Sequence, residues 1–147
     1  MILDTNALSA IADGEADAMS QVSKPRELAI PVIVLGEYWF GIAQSRKKIE
    51  YERWLRKFLS VCNALPVDEE TAIRYADVRL ALKQVGTPIP ANDAWIAALC
   101  LQYDEPILSQ DSHFDFVPGV RRVNWKSTSA IKSTLRLEKA SRANRIL

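Results

Sequence analysis

Four carboxylates stand in apolar company. Asp4 closes Ile2-Leu3-Asp4, and Glu37 interrupts Val34-Leu35-Gly36-Glu37-Tyr38-Trp39. Asp93 opens Asp93-Ala94-Trp95-Ile96-Ala97-Ala98, and Asp111 follows Ile107-Leu108-Ser109-Gln110. Acids flanked in this way do not serve solubility alone. Like charges brought together away from water take up protons unless something positive lies between them. A divalent cation is the usual compensation, and four carboxylates without His or Cys partners suit Mg²⁺ or Mn²⁺ rather than zinc. A site of that kind orients a water, acidifies it and neutralises the charge that grows on a phosphodiester under attack. The chemistry it points to is phosphodiester hydrolysis with no protein nucleophile. Each acid also has a plainer role open to it. Asp4 could form a strand-end turn and Glu37 could be an exposed helix acid. Asp93 could share a helix cap with Asn92, and Asp111 could be a turn residue.

The elements that must position these residues follow from the pattern of apolar, Gly and Pro positions. Met1 to Asp4 reads as a buried strand end, Asn6 to Ala12 as a short helix, and Asp13-Gly14 as a turn. Leu28-Ala29-Ile30 reads as a strand, and Pro31 opens a helix carrying Leu35, Tyr38, Trp39 and Ile42 at helical spacing. Tyr51, Trp54, Leu55, Phe58 and Leu59 repeat that spacing over residues 47–61, and Leu65-Pro66-Val67 is a short strand candidate. Asp68 caps a helix that runs to about Val85, where Gly86 stops it. The prolines of Thr87-Pro88-Ile89-Pro90 forbid helix. Asn92 to Tyr103 is helical again, Pro106 to Ser109 is a buried strand, and Arg121 to Trp125 is the last strand. Strands alternating with helices predict an α/β fold with a mostly parallel central sheet flanked by helices. In such a sheet ligands bind at the carboxyl ends of the strands. Asp4, Asp93 and Asp111 fall at element ends, and Glu37 lies one to two turns into its helix.

Bulk properties set the frame. The chain has 147 residues, 48% hydrophobic and 25% charged, with a net charge of +1. These values fit one ordinary globular domain able to bury a core. No apolar run approaches the roughly 20 residues of a bilayer span, and the N-terminus lacks a signal peptide's basic start, so a cytoplasmic protein is expected. Cys62 and Cys100 fall in apolar helical patterns, as buried free thiols do. The composition shifts near Lys126. Residues 126–147 hold six basic residues and one acid, a net +5, which leaves −4 on residues 1–125. The expected organisation is therefore a domain over 1–125 and a basic tail over 126–147, helical or disordered.

In sequence order, these stretches resemble the motifs of one family. Ile2-Leu3-Asp4-Thr5-Asn6-Ala7-Leu8-Ser9 is similar to the opening of PIN domains. Residues 30–42, in which Glu37 precedes Gly41-Ile42, resemble their second motif. Ile89 to Ala98 resembles the third, and Ile107 to Phe114 followed by Val117-Pro118-Gly119-Val120 resembles the fourth. Within the family the match is to VapC-like toxins. The resemblance implies a Rossmann-like PIN fold and a Mg²⁺- or Mn²⁺-dependent site whose metal ligands and catalytic acids are Asp4, Glu37, Asp93 and Asp111. It further implies an RNA substrate, a homodimer, and inhibition by a cognate VapB-like antitoxin. Asn6 and Ser109 are expected to steady the carboxylates or a metal water. Ser109 departs from the Thr more usual there but keeps the hydroxyl, and Gln110 replaces a commoner basic residue. Arg46, Lys47 and Lys48 could contact the RNA backbone, or simply belong to a solvated basic face with Arg53, Arg56 and Lys57. His113 reads as a loop residue packing near Phe114, and Asp115 as a bystander.

Other classes fit less well. A PIN nuclease of RNA processing or DNA, and a catalytically silent PIN scaffold that docks a partner, share the same sequence features. An aspartyl-phosphate phosphatase needs a second carboxylate two residues after the first, where this chain has Asn6. With five glycines and no G-x-G-x-x-G, a dinucleotide or P-loop site is excluded. One histidine and no serine elbow exclude a Ser/His/Asp hydrolase.

Overall fold

The computed structural model describes residues 1–126. Five short strands, β1 (Ile2–Leu3), β2 (Ala29–Pro31), β3 (Asn63–Leu65), β4 (Ile107–Leu108) and β5 (Arg122–Val123), form one sheet. Its order is β3-β2-β1-β4-β5 and every neighbouring pair is parallel. The crossovers are helical: α1 (Thr5–Ala12), α2 (Ala16–Val22), α3 (Val32–Ala43), α4 (Lys48–Leu59), α5 (Glu69–Val85) and α6 (Ala91–Tyr103). A 3₁₀ turn over Ser112–Phe116 lies between β4 and β5. Chain order reverses across β1, whose neighbours are β2 and β4. The crevice beyond the carboxyl ends of β1 and β4 is therefore the topological switch point of the sheet.

Local sequence explains most boundaries. The Asp68 side chain accepts from Thr71 N while Asp68 N donates to Thr71 Oγ1, a reciprocal cap that starts α5. Gly86 ends the same helix at φ +72°, a conformation that needs no Cβ. Pro31 and Pro90 stand just before α3 and α6, where a missing N–H costs nothing. In α6, Ala94 and Ile96 to Cys100 are all buried, so this helix is enclosed on most sides rather than amphipathic. Ile2, Leu3, Ile30, Ile107 and Leu108 are fully buried and form the sheet's contribution to the core.

Three expectations change. Ala16–Val22 is a helix that the apolar spacing does not announce, since only Ala18 and Gln21 in it are buried. The third strand covers Asn63–Leu65 instead of Leu65 to Val67; Pro66 lacks the N–H a ladder needs, and pairing instead begins with Asn63 N donating to Leu28 O. Trp125 leaves the last strand. It is 1% exposed and its Nε1 donates to Glu15 Oε1 at 3.0 Å. The expected basic tail lies outside the described residues except for Lys126. Cys100 is buried and Cys62 half-buried, both as free thiols. No helix among the described residues is long and apolar enough to cross a membrane.

Candidate metal centre

Parallel pairing brings the first acid to the switch point. Leu3 stands in register with Leu108, so Asp4 and Ser109 are the next residues out of adjacent strands. Ser109 Oγ donates to Asp4 Oδ2 at 2.6 Å, and Thr5 N, the first free N–H of α1, donates to Oδ1 at 2.6 Å. Asp4 is only 5% exposed, and burial raises its pKa above the ordinary carboxylate value against the opposing pull of those two hydrogen bonds. The charges of Asp93 and Asp111 push it the same way.

Asp93 lies in the first turn of α6 and is half-buried. Burial raises its pKa as well, with Asp111 and Glu37 adding repulsion and His113 opposing it. Asp111 caps the 3₁₀ turn by accepting from His113 N at 2.9 Å. Its own N–H donates to Ser109 Oγ at 2.9 Å, so one hydroxyl links Asp4 to Asp111. Glu37 enters from α3. Thr5 Oγ1 donates to its Oε2 and Asn92 Nδ2 to its Oε1, each at 2.5 Å. All four acids thus share one neighbourhood, although they leave four different elements.

The positive charge available to them is small. Among the described residues no Lys or Arg forms an ion pair with any of the four. Among the described residues the one base within ion-pair distance is His113, whose Nδ1 stands 2.9 Å from Asp93 Oδ2 and 3.1 Å from Asp111 Oδ1. Its hydrogen bond to Asp93, with both carboxylate charges, raises the imidazole pKa. One ligand atom each from Asp93, Asp111 and His113 lie within 4.8 Å of one another. Oxygen donors with one exchangeable nitrogen, short of counter-charge and partly open to solvent, fit a hard divalent cation. His113 holds the same two oxygens that such an ion would take.

Sequence reading set His113 aside as a loop residue, and the structure instead puts it in the middle of the acids. Its position two residues after Asp111 was the available signal. Thr5 and Asn92, which hold Glu37, were missed: each is adjacent to a candidate acid, but nothing in the sequence says that Glu37 lies across from them. Ser109 touches Asp4 as expected. Asn6 is exposed on the first turn of α1 and its side chain makes no hydrogen bond among the described residues; the neighbouring Thr5 makes the link instead. Asp115 stays outside the cluster, held by both arms of Arg122 at 2.8 and 2.6 Å, which keeps its pKa low. Arg46, Lys47 and Lys48 are exposed around the α3–α4 turn, and Lys48 faces Glu52 at 3.8 Å.

Known proteins share this architecture. The PIN domain family profile matches residues 1–120. Ribonuclease VapC5 of Mycobacterium tuberculosis is 30% identical over 83% of this chain and 90% of its own length. Ribonuclease VapC2 of Rickettsia felis is 27% identical over 84% of this chain and 96% of its own. Among solved structures, that of VapBC2 from Rickettsia felis bound to a promoter DNA fragment superposes with a TM-score of 0.77 at 26% identity, covering 84% of this chain and 97% of that one.

Proposed function

The chain belongs to the PIN domain family, and from that premise we propose that it is a Mg²⁺- or Mn²⁺-dependent endoribonuclease, the toxin of a VapBC-type toxin–antitoxin pair. The observation that carries the reading is the convergence of Asp4, Glu37, Asp93 and Asp111 at the switch point with no Lys or Arg counterion among the described residues. The ribonuclease names of two relatives and the VapBC complexes among the structural neighbours support the substrate and the partner. The protein is read as a cytoplasmic homodimer held inactive by a VapB-like antitoxin.

Asp4, Asp93 and Asp111, with Glu37, would hold the ion. When bound, it supplies charge to a phosphate oxygen and acidity to a water. The chain's own residues do the positioning. The Ser109 hydroxyl accepts from Asp111 N and donates to Asp4, which keeps two carboxylates at fixed separation. Thr5 and Asn92 each occupy one oxygen of Glu37 and so fix its plane. Its remaining lone pairs can accept a proton from an attacking water. His113 offsets part of the charge of Asp93 and Asp111, and its exposed ring could donate to the substrate. Arg46, Lys47 and Lys48 would bear on the RNA backbone.

The test is cleavage of a structured RNA mixture by the purified chain with Mg²⁺, Mn²⁺ or EDTA, beside Asp4→Asn. Cutting that requires the metal and vanishes in the variant is the expected result. Cutting of DNA in preference to RNA would move the chain to a different nuclease role. No cutting together with no Mn²⁺ binding would identify a scaffold that works by docking.

A further inference from the structure

A cleft of about 250 Å³ opens beside Glu37, walled by α1, α3 and the start of α4. Thr5 and Glu37 line it, so it adjoins the acids. The rest of its wall mixes ring surface from the half-buried Tyr51, with the buried Tyr38 behind it, and polar groups from Ser9, Asp13 and Ser45. The volume is below the roughly 300–1,000 Å³ of sites for drug-sized ligands, so it suits a single ring system. Tyr51 Oη donates to Asp13 Oδ1 at 2.7 Å, which orients that carboxylate and leaves Oδ2 as an acceptor. Gly41 forms part of the wall, and a Cβ built on it meets nothing within 4 Å. The absence of a side chain at this position leaves that stretch of the cleft open.

We propose that this cleft receives one unstacked nucleobase of the RNA next to the cut phosphodiester, and that Asp13 reads it. Single-stranded RNA is recognised by splaying out a base, laying it on aromatic surface and hydrogen-bonding its edge. The cleft offers each of those parts within reach of the acids. A carboxylate accepts only, so the base must present N–H donors. Guanine matches best, because its N1–H and 2-amino group are two adjacent donors on one edge, which Oδ2 and the second lone pair of Oδ1 can accept; uracil, with one, matches least. Ser9 and Ser45 hydroxyls remain to meet acceptors on the ring. The exposed Arg46 and Lys47 follow directly after Ser45, where the backbone of a chain leaving the cleft would run. The inference rests on the ribonuclease reading for its substrate, but base binding itself can be measured without cleavage.

The probe is guanosine 5′-monophosphate, with uridine 5′-monophosphate as the comparison, titrated into the metal-free full chain while the ring signals of Tyr38 and Tyr51 are followed by NMR. Gly41→Leu fills the cleft from a helical position that has room for it, and Leu favours helix over Gly by roughly 1 kcal/mol, so folding is retained. Asp13→Asn removes the charge while leaving the cleft open. Guanosine monophosphate is expected to shift both tyrosines in the wild type, to bind at least tenfold more weakly in each variant, and to exceed uridine monophosphate in affinity. Mn²⁺ affinity should be the same in all three proteins. In a randomised RNA pool the wild type should favour one base beside the cut, and both variants should lose that preference with a tenfold or greater fall on the favoured RNA. Nucleotide binding without any RNA cutting would uphold the cleft and sink the ribonuclease reading. Metal-dependent cutting with an unchanged base preference in Gly41→Leu would overturn the cleft alone. So would variants that cut normally but escape an antitoxin peptide, since the cleft would then belong to a protein partner.

Discussion

The two ends of the sheet treat charge in opposite ways. At the amino ends, the Met1 ammonium meets Glu105 at 2.8 Å, and Arg121 meets Asp104 at 3.0 Å. Glu105 and Asp104 there each have a cation. At the carboxyl ends, Asp4, Glu37, Asp93 and Asp111 share, among the described residues, one weak base, His113. The first arrangement costs little, because the acids of these pairs are partly or largely exposed and keep their hydration. The second costs stability unless another positive charge joins it. The contrast is repeated on the two sides of the 3₁₀ turn. Asp115, clasped by Arg122, has a lowered pKa, whereas that of Asp93 is raised, chiefly by burial and further by Asp111 and Glu37. Among the described residues these four acids converge without a Lys or Arg partner, and functional sites are where such breaks of charge pairing are kept.

Substitution at the two ends should separate most clearly. Asp4→Asn or Asp93→Asn should reduce RNA cleavage by on the order of 10³ or more, since charge stabilisation by a bound metal is worth several kcal/mol. The same Asp4→Asn change removes a buried charge, so the metal-free protein should melt a few degrees higher at neutral pH. Glu105→Gln, at the opposite end, should leave cleavage untouched. Parallel assays and thermal melts in EDTA check both, and a destabilised Asp4→Asn would break the contrast.

The pH dependence of the metal-free protein follows from the same difference. Asp4 and Asp93 have folded-state pKa values raised above 3.8. Their stabilising contribution is complete below that value and is lost as pH rises through the folded-state values. The raised pKa of His113 acts alike, from 6.5 upward. Asp68 and Asp115 are lowered, so their contribution is present above 3.8 and fades as the solution is acidified through their folded-state values. Metal-free stability should therefore peak on the acid side of neutrality and decline towards pH 8, and His113→Asn should flatten the decline above pH 6. Saturating Mn²⁺ should oppose the trend, because metal and protons compete for the same carboxylates. Melting temperatures at a series of pH values, with EDTA or Mn²⁺, measure this.

Smaller effects test the supports. Arg122 also donates to the Ser109 carbonyl at 3.2 Å, so it ties the turn carrying Asp111 and His113 to the sheet. Arg122→Ala should cost about 1.5–3 kcal/mol, the range for hydrogen bonds to a charged group, and slow cleavage several-fold through looser positioning. Calorimetry and steady-state rates check it. The smallest change is expected from Arg46→Ala with Lys47→Ala. If each meets one phosphate, the salt dependence of RNA binding should flatten by about 0.7 in logarithmic slope per contact, with metal affinity unchanged. An unaltered slope would return these residues to the solvated face.

Much of this was legible in the chain itself. Alternating elements determined the parallel α/β class, because helical crossovers are what parallel strands require. Asp68, Gly86, Pro31 and Pro90 marked helix ends through local chemistry that needs no tertiary context. The four acids stood out because each interrupts an apolar run, and a charge in such a setting demands an explanation at any position in a fold. Tertiary structure alone decided the rest. The counterion role of His113, the grip of Thr5 and Asn92 on Glu37, and the cleft between α1, α3 and α4 all depend on contacts across 20 to 55 residues of sequence. Hydrophobic periodicity reports which face of an element is buried, but not which polar side chain from another element arrives there. The register of β1 on β4 shows why. Pairing Leu3 with Leu108 places Asp4 beside Ser109, and register is fixed by the packing of the whole sheet.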